Sequence, residues 1–346
     1  MKENYKAWNI NIDGFPKEGS IVEQLKFLIN FAILAPSSHN SQPWAFTVSE
    51  QGITILPEEG RALRESDNNK RQQFISMGCA LENIIIAADY FGYTGAITYH
   101  LDGVSNARID VRFSKQQKTG DLRRDPEHLA TCITKRRTNR GNYDMSKMLE
   151  GKVVQAIRNF STSQISVFIT GDTEIKRRVT ETILVATDDA MRSADFRQEL
   201  AKYITPSITS SPIGMPGNTI GAPFLFSFIL STLIRKMPPG AAQRNQLRTL
   251  LEKTPFFLLI ATPGDTREEW IKTGQVYQRI ALLAEQNRLA THPLAAAIQI
   301  GNHYIDLAKI FDTNLRPQFF CRIGYPTKEV PHSPRLTSGK VTLAIP

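Results

Sequence analysis

The clearest hydrophobic pattern in the sequence predicts two amphipathic helices separated by a hairpin. Ser20 and Glu23 have the spacing of a capping box, and the apolar residues that follow recur at helical intervals. A second apolar face begins after Asp67 and ends at Gly92, a residue type common just beyond a helix. Residues 44–56, between the two helices, are predicted to form a β-hairpin.

Further elements are expected along the rest of the chain. Residues 256–261 are continuously apolar, which is typical of a central strand buried on both faces. Thr291–Pro293 is expected to be a turn. The other expected elements are strands near residues 97–101, 109–113 and 165–170, helices that start at Asp125-Pro126 or lie near residues 148–160 and 188–203, and a final segment at residues 318–326.

A repeated order of helix and strand suggests that the chain is a duplication. The two longest helical patterns can be aligned at a constant offset of 196 residues, which pairs Gly78 with Gly274. We therefore predict an α+β protein of two related halves, residues 1–120 and 121–346. Residues 190–250 have no counterpart in the first half and are expected to be an insertion, either a lid or a packing loop.

Composition limits the classes of protein to which the chain can belong. Its 346 residues carry a formal net charge of +9, yet the arginines are spread along the chain, with Lys135–Arg137 as a dense basic run. This distribution favours a phosphate-bearing ligand over nucleic acid. The longest apolar run, Pro223–Ile234, is shorter than the roughly 20 residues needed to span a bilayer, so no membrane partner is expected.

The cysteines and the N-terminal sequence favour a cytoplasmic protein. Cys79, Cys132 and Cys321 are isolated and odd in number, so neither a disulfide framework nor a metal site is expected. The first residues lack the apolar segment of a secretion signal. Because no P-loop, G-x-G-x-x-G or G-x-S-x-G motif occurs, NTP hydrolysis, a Rossmann cofactor site and acyl transfer have no support.

Two polar runs carry the candidate chemistry. Pro36–Pro43 places Ser, His, Asn and Gln side chains between two prolines, which suits the edge of a flat heteroaromatic ring. Arg136–Arg140 has three guanidinium groups and a hydroxyl, a set that can neutralise a phosphate monoester. The second run alone is more simply a solvated basic turn after a helix. Together, the two runs suit the two ends of a mononucleotide-like cofactor.

Both runs resemble motifs of the nitroreductase family of FMN-dependent oxidoreductases. Pro36–Pro43 is similar to the family's flavin-contacting loop, and Arg136–Arg140 is similar to its Arg-Arg-Ser-x-Arg phosphate motif, with Thr138 in place of Ser. In ordinary members the arginine motif precedes the loop, whereas here it follows. The order resembles the Acg-type, or twin, branch. This implies a nitroreductase-like FMN-binding fold in which two fused halves form a pseudo-dimeric monomer, with further dimerisation left open.

The resemblance also implies which residues bind FMN. Arg136 and Thr138 would bind the phosphate, with Arg137 nearby and Arg335 as another basic contact. Arg140 would lie by the ribityl chain or the pyrimidine edge, where a cation stabilises the reduced flavin. Contacts with the ring are expected from Pro36, Ser37, Ser38 and Asn40, with Gln42 behind them, and from Pro293 and Ala295 in a turn near flavin N5.

The implied activity is two-electron transfer from NAD(P)H to an electron-poor acceptor, such as a nitroaromatic or a quinone, through a single FMN between the halves. The flavin carries the chemistry, so no catalytic side chain is assigned, and His39 is expected to be a surface residue. The alternative is a non-catalytic protein that sequesters FMN beneath residues 190–250. The sequence leaves the acceptor and the choice between NADH and NADPH open.

Overall fold

The computed structural model describes residues 2–103, 106–116, 126–238 and 240–344. Helices and strands are mixed along the chain, so the α+β class is confirmed. The helices are α1 Ile21–Ala32, α2 Arg71–Tyr90, α3 Pro126–Ile133, α4 Gly151–Arg158, α5 Thr173–Arg192, α6 Ala194–Tyr203, α7 Ser227–Lys236, α8 Ala241–Glu252, α9 Arg267–Gln286, α10 Ala296–Gln299, α11 His303–Ile310 and α12 Ser338–Val341. The strands are β1 Trp44–Ser49, β2 Gly52–Pro57, β3 Tyr93–His100, β4 Arg108–Lys115, β5 Ser166–Thr170, β6 Ile204–Thr205, β7 Met215–Pro216, β8 Phe256–Thr262, β9 Ala290–Pro293 and β10 Arg316–Gly324.

Two antiparallel sheets of four strands each lie in the two parts of the chain. The first has the order β1-β2-β4-β3, and the second has the order β5-β8-β10-β9. As expected for residues 256–261, β8 is central and its side chains are almost all buried. A short parallel pair, β6 with β7, lies within residues 190–250.

The long helices α2 and α9 pack closely against each other through two glycines. A Cβ atom at Gly78 would lie 2.0 Å from the carbonyl oxygen of Ile271, and one at Gly274 would lie 2.0 Å from the carbonyl oxygen of Ile75. The offset of 196 relates one contact to the other, because it pairs Gly78 with Gly274 and Ile75 with Ile271. The helix pair is therefore reciprocal, as the sequence alignment of the two helices predicts, and neither position has room for a larger residue.

Local signals in the first third of the chain are confirmed. The backbone N–H of Ser20 donates to the Glu23 carboxylate over 2.7 Å, and the Glu23 N–H donates to the Ser20 hydroxyl, which completes the capping box. Asp67 accepts the N–H groups of Gln72 and Gln73 at the start of α2. Asp125 lies outside the described residues, so only the second half of the Asp125-Pro126 signal can be compared with α3, which begins at Pro126.

Two expectations in the second part of the chain are wrong. The helix expected near residues 188–203 is two helices, because α5 begins at Thr173 and Ser193 then caps α6 through the N–H of Phe196. The expected turn Thr291–Pro293 is strand β9, whose residues pair with β10 from Cys321 to Gly324. The edge position on an existing sheet lets this proline-containing segment form a strand.

The last described residues return to the first sheet. Thr342 forms a parallel bridge with Phe46 of β1, and the Leu343 N–H donates to the Phe46 carbonyl over 2.7 Å. Before that, the Trp8 indole donates to the Ser333 carbonyl over 2.8 Å. The C-terminal segment thus fastens the N-terminal segment and β1 to the rest of the protein.

Candidate functional site

A cavity of about 300 Å³ brings the two polar runs together. The first part of the chain contributes Pro36, Ser37 and Ser38 to its wall. The second part contributes Thr138, Arg140, Pro293 and Ala295. Seven of the residues implied by the family resemblance therefore line one cavity, although about a hundred positions separate the two runs in the sequence. The cavity also borders α2 and α9, through Cys79 and Tyr277.

The polar loop that follows α1 has a strained backbone that its surroundings hold in place. His39, Asn40 and Gln42 all have positive φ, at 52°, 55° and 54°. Residues other than glycine adopt this conformation only when tertiary contacts enforce it, and such positions cluster at ligand sites. Here the Gln42 N–H donates to the Ser37 hydroxyl over 2.9 Å, which closes the loop on itself.

Asn40 and Gln42 do not line the cavity, in contrast to the expectation for Asn40. The Asn40 amide donates to the carbonyls of Gly214 and Pro334, both over 2.9 Å, and its oxygen accepts from Arg335. The Gln42 amide donates to the Pro212 carbonyl over 2.8 Å, while its oxygen accepts the Leu336 N–H. Both amides fix the loop against two distant segments.

His39 is wrongly expected to be a surface residue. It is partly buried, it lines the cavity, and its Nδ1 is buried without a hydrogen-bond partner among the described residues. The pKa of His39 is lowered to about 4, mainly by burial. The charge of Glu199 opposes this shift, and the charge of Arg140 adds to it. The ring is therefore neutral at physiological pH and presents a free nitrogen.

Arg136 and Arg335 form a pair of buried cations beside the polar loop. Their side chains are 3% and 4% exposed, and both donate weakly to the carbonyl of Leu34, over 3.4 and 3.5 Å. Arg136 Nε and Nη1 and Arg335 Nε have no hydrogen-bond partner among the described residues. Burial, and then the neighbouring Arg136, lower the pKa of Arg335 to about 9, which leaves it charged at neutral pH.

Arg137 does not share the deep burial of this pair. Its guanidinium contacts the Glu329 carboxylate over 2.6 Å, and its Nε lies 3.2 Å from His332 Nε2. The Arg137 side chain is 31% exposed, and in this arrangement an acidic side chain already contacts it. The expectation that Arg137 lies nearby as a cofactor-binding residue stays a prediction.

Thr138 and Arg140 reach the cavity from a segment that is pinned to β9. Thr138 forms a bridge with Thr291, and the next N–H donates to the Thr291 carbonyl over 3.1 Å. Arg140 makes only long contacts, 3.4 Å to the Thr219 carbonyl and 3.5 Å to the Met215 sulfur. Burial lowers the pKa of Arg140 to about 10, so the cavity wall carries a positive charge at neutral pH.

The inserted segment supplies the remaining wall. Phe196 and Leu200 of α6 and Met215 of β7 line the cavity. On the same helix, the Glu199 carboxylate accepts the N–H groups of Arg64 and Ser66, over 2.6 and 2.9 Å, which ties α6 to the first part of the chain. Sequence reasoning missed these apolar residues, although the period of Phe196 and Leu200, one helical turn apart, could have marked an inward face.

The residues of α9 that lie 196 positions beyond the cavity-lining residues of α2 do not line the cavity. The polar ones among them are bonded to other side chains instead. Lys272 Nζ contacts Glu268 over 2.6 Å and Gln164 over 2.7 Å. Gln275 donates to Glu82 over 2.8 Å and accepts from Tyr99 over 3.2 Å. We call this set of side chains the counterpart region. It corresponds in number to Gln72, Ser76 and Cys79, which line the cavity and have hydrogen bonds of their own, with Ser38, the Gln72 carbonyl and the Gly274 carbonyl.

Comparison with known proteins gives distant relatives across most of the chain. No protein-family model matches the sequence. The chain is 25% identical over 309 residues to the uncharacterized protein Rv3127 of Mycobacterium tuberculosis, which covers 87% of this chain and 86% of the relative. It is 22% identical over 319 residues to the "Putative NAD(P)H nitroreductase Rv3131" of the same organism, which covers 88% of this chain and 85% of the relative.

Two solved structures that match part of this chain in fold are also named as nitroreductases or nitroreductase-like proteins. The FMN-dependent nitroreductase NfnB from Mycobacterium smegmatis, in complex with NADPH, has 14% identity and a TM-score of 0.42, over 64% of this chain and 100% of that one. A nitroreductase-like family protein from Bacillus cereus has 14% identity and a TM-score of 0.39, over 67% of this chain and 99% of that one.

The sequence relatives define the class of the protein: the chain is nitroreductase-like. Within that class it is a distant homologue of two Mycobacterium tuberculosis proteins named "Putative NAD(P)H nitroreductase", Rv3131 and acg, and the match to acg is 27% identical over 73 residues, which covers 21% of this chain and 22% of the relative. The resemblance of the sequence to the nitroreductase family is confirmed, whereas the roles of Pro36–Pro43 and Arg136–Arg140 stay predictions. None of the described helices is both long enough and apolar enough to cross a membrane.

Proposed function

We propose that the chain is an FMN-dependent oxidoreductase that holds one FMN in the cavity between its two halves. The observation that carries this proposal is the pair of buried guanidiniums, Arg136 and Arg335, which have unpartnered N–H groups beside the polar loop. Together with the cavity lined by Pro36–Ser38, Thr138 and Arg140, they offer a site for a phosphate and a site for a flat ring.

The phosphate end is argued from the free energy of burying charge. An isolated buried cation is costly unless a counter-charge and hydrogen bonds accompany it. Arg136 and Arg335 lie close enough for one to lower the pKa of the other, and neither has a salt bridge within the described part of the chain. A phosphate monoester would supply both the missing negative charge and the missing acceptors, since guanidinium groups match phosphate oxygens well.

The ring end is argued from the cavity wall. It is mostly apolar, with a small number of convergent polar groups, as in cofactor sites generally. FMN, when bound there, would supply two-electron transfer between a reduced nicotinamide and an electron-poor acceptor. The chain's part is to anchor the phosphate through Arg136, Arg335 and Thr138, to orient the ring with Pro36–Ser38, and to present the Arg140 charge. No side chain is proposed as an acid or base.

We further infer that the chain is a fused pair of halves with a single site. The reciprocal contacts of Gly78 and Gly274 support this relation between residues 1–120 and 121–346, although the boundary itself falls outside the described residues. The counterpart region supports the single site, because Lys272 and Gln275 are bonded to neighbouring side chains there. The segment at residues 160–164, which replaces the polar loop in the second half, ends at one of those partners, Gln164.

NAD(P)H is the proposed electron donor, and a nitroaromatic or quinone is the proposed acceptor. The donor is supported by the name of the mycobacterial relative Rv3131, which spans most of this chain at 22% identity. The acceptor class follows from the chemistry of reduced flavins, which pass electrons to electron-poor groups.

A second candidate function is storage of FMN without turnover. The observation that favours it is the wall formed by Phe196, Leu200 and Met215, which would cover a bound ring and keep a nicotinamide from its face. The four contacts that Glu199 makes to Arg64, Glu65 and Ser66 would hold that wall closed.

FMN titration followed by anaerobic reduction tests both functions. We expect the purified chain to bind FMN with a stoichiometry of one, and NADH or NADPH to bleach the flavin absorbance without oxygen. A chain that binds no FMN would refute both functions. If dithionite reduces the bound FMN but neither nicotinamide does, the oxidoreductase function is refuted and storage remains.

A further inference from the structure

Large apolar side chains are exposed along one helix of the insertion. Leu225 is 80% exposed, and Phe228 and Ile229 are 51% and 53% exposed. Single exposed apolar residues are common, but a continuous group of them marks an interaction surface. We call this group the apolar ridge, and its members in and around α7 are Phe224, Leu225, Phe226, Phe228, Ile229, Leu233 and Met237.

Helix α7 exposes its large apolar side chains and buries a small polar one, the reverse of most surface helices. Its one buried residue is Ser227, whose hydroxyl accepts the Ser207 N–H over 3.0 Å and donates to the Phe224 carbonyl over 2.6 Å. Surface helices usually bury their large apolar residues and expose their small polar ones. Here a small hydroxyl residue anchors the helix and Phe228 and Ile229 face outward, so the orientation of the ridge is held by the fold.

From residue 200 to residue 251 the charged side chains all have one sign, while the neighbouring helix α6 carries Asp195 and Glu199. No Asp or Glu occurs between Glu199 and Glu252, whereas the basic residues in that interval include Arg235 and Lys236 at the end of α7. Both of these residues are exposed. Exposed phenylalanine and leucine next to exposed cations is the pattern of segments that lie in the interface of a membrane with anionic lipids.

A second copy of the chain fits this surface less well. A two-fold contact of the ridge with itself would bring Arg235 and Lys236 towards the same residues of the other copy. The insertion has no carboxylate between Glu199 and Glu252 that could pair with them. Anionic lipid head groups would neutralise these cations while the bilayer accepts the apolar side chains.

We propose that the apolar ridge docks the protein on the surface of an anionic lipid bilayer. The absence of a membrane partner is expected from the lack of a segment long enough to span a bilayer. The ridge would lie in the interface between the bilayer and water without spanning the bilayer. The helix behind the ridge, α6, carries Phe196 and Leu200 of the cavity wall, so docking would bring the cavity's lid side next to the bilayer. The docking itself depends only on the exposed residues and holds whether or not FMN binds.

Co-sedimentation of the full chain with vesicles tests the proposal. Vesicles of phosphatidylcholine alone are compared with vesicles of phosphatidylcholine and phosphatidylglycerol in equal parts. We expect binding to the anionic vesicles, weakened by salt because exposed charges are screened. Leu225→Glu with Phe228→Glu should lower the partition coefficient at least tenfold, while Met148→Glu, at an exposed apolar residue outside the insertion, should leave it unchanged.

A charge variant separates the two parts of the interaction. Arg235→Gln with Lys236→Gln should reduce binding to anionic vesicles by about fivefold for each residue, since a cation at such a surface contributes about 1 kcal/mol. Arg178→Gln, an exposed cation on α5, is the matched control and should have little effect. Circular dichroism and urea midpoints check that each variant folds.

Three results would overturn the proposal. One is no binding to either kind of vesicle, and another is equal binding by the wild type and the Leu225→Glu, Phe228→Glu variant. The third is a concentration-dependent dimer in analytical ultracentrifugation that this variant abolishes, without vesicle binding by the wild type. The third result would assign the ridge to a second copy of the chain.

Discussion

The cavity and the counterpart region border the same pair of helices. They differ in whether the polar side chains around them have hydrogen-bond partners. Around the cavity, Arg136, Arg335 and His39 keep buried nitrogens without partners in the described structure. In the counterpart region, Lys272 and Gln275 are bonded to side chains on neighbouring elements. The helix packing is reciprocal, but the chemistry is not.

The difference shows where to look for function in a chain with reciprocal helix packing. The core requires the close approach of α2 and α9 at both Gly78 and Gly274. Unsatisfied buried polar groups lower the stability of a protein, so they persist where a ligand completes them. In the counterpart region, Lys272 and Gln275 have partners and leave no such group unsatisfied among the described residues.

The largest effects are expected from the two glycines through which α2 and α9 pack against each other. Gly78→Ala and Gly274→Ala would each place a Cβ 2.0 Å from a backbone carbonyl oxygen, which cannot move as a flexible side chain can. Each variant should lose about 3 kcal/mol of unfolding free energy in urea titrations, the upper part of the range for overpacking.

Gly151→Ala is the matched control for these two variants. A Cβ at Gly151 meets no atom within 4 Å, and the residue begins α4, so alanine should be neutral or slightly stabilising. Similar losses at Gly78 and Gly274 would support the reciprocal packing. A loss at only one of them would show that the two sides of the helix pair are not equivalent.

Arg136→Ala should lower the affinity for FMN, which a substitution in the counterpart region should not do. Removing this guanidinium should weaken FMN binding at least thirtyfold, or about 2 kcal/mol, the size of a charge-assisted interaction. Because the cation is buried and unpaired, the free energy of unfolding without FMN should stay unchanged or rise. Fluorescence titration and urea unfolding measure the two quantities.

Lys272→Ala in the counterpart region is the comparison for Arg136→Ala. It breaks contacts with Glu268 and Gln164 that are largely exposed, so stability should change by less than about 0.5 kcal/mol and FMN affinity should not change. Full FMN affinity in Arg136→Ala would remove the phosphate site from the proposal. Equal weakening by both substitutions would contradict the asymmetry of the two regions.

His39 should give the smallest effect, visible in the pH dependence of stability. Its folded pKa of about 4 lies below the ordinary value, 6.5, so between these values the unfolded chain binds the additional proton. Stability should therefore fall as the pH drops from 6.5 towards 4, by about 1–2 kcal/mol from this residue. His39→Gln should flatten that part of the profile in urea titrations and match the wild-type slope above pH 7.

An unchanged slope in His39→Gln between pH 4 and 6.5 would mean that the ring is solvated rather than buried against the cavity. The proton-linked effect belongs to the cavity alone, so the same measurement on Lys272→Ala should retain the wild-type profile. The pair of profiles thereby adds a second, FMN-independent measure of the difference between the regions.

Sequence reasoning was reliable where short-range physics decides the outcome. The capping box of Ser20 and Glu23 needs only residues three apart, and both of its hydrogen bonds are present. The Gly78–Gly274 alignment also held, because close helix packing tolerates very few residue types. Residues from both motifs that the family resemblance identifies line the cavity. Such motifs can be recognised in a sequence because they consist of residue types at a fixed spacing.

The errors fall where distant contacts decide. The amides of Asn40 and Gln42 are bonded to segments as far away as Pro334 and Leu336, so only His39 of these three residues lines the cavity. Likewise, nothing in the run Arg136-Arg137 tells which guanidinium turns inward. The strand at Thr291 forms because β10 offers it an edge, a partner that local sequence cannot reveal.

The C-terminal segment has a consequence for the order in which the protein is made. Arg335 lies against Asn4, Trp8 and Asn40, and Leu343 completes the hydrogen bonding of Phe46 in the first sheet. The ribosome therefore releases the polar loop long before it synthesises the residues that hold the loop. Under the proposed function, a nascent chain cannot retain FMN until residue 335 has emerged from the ribosome.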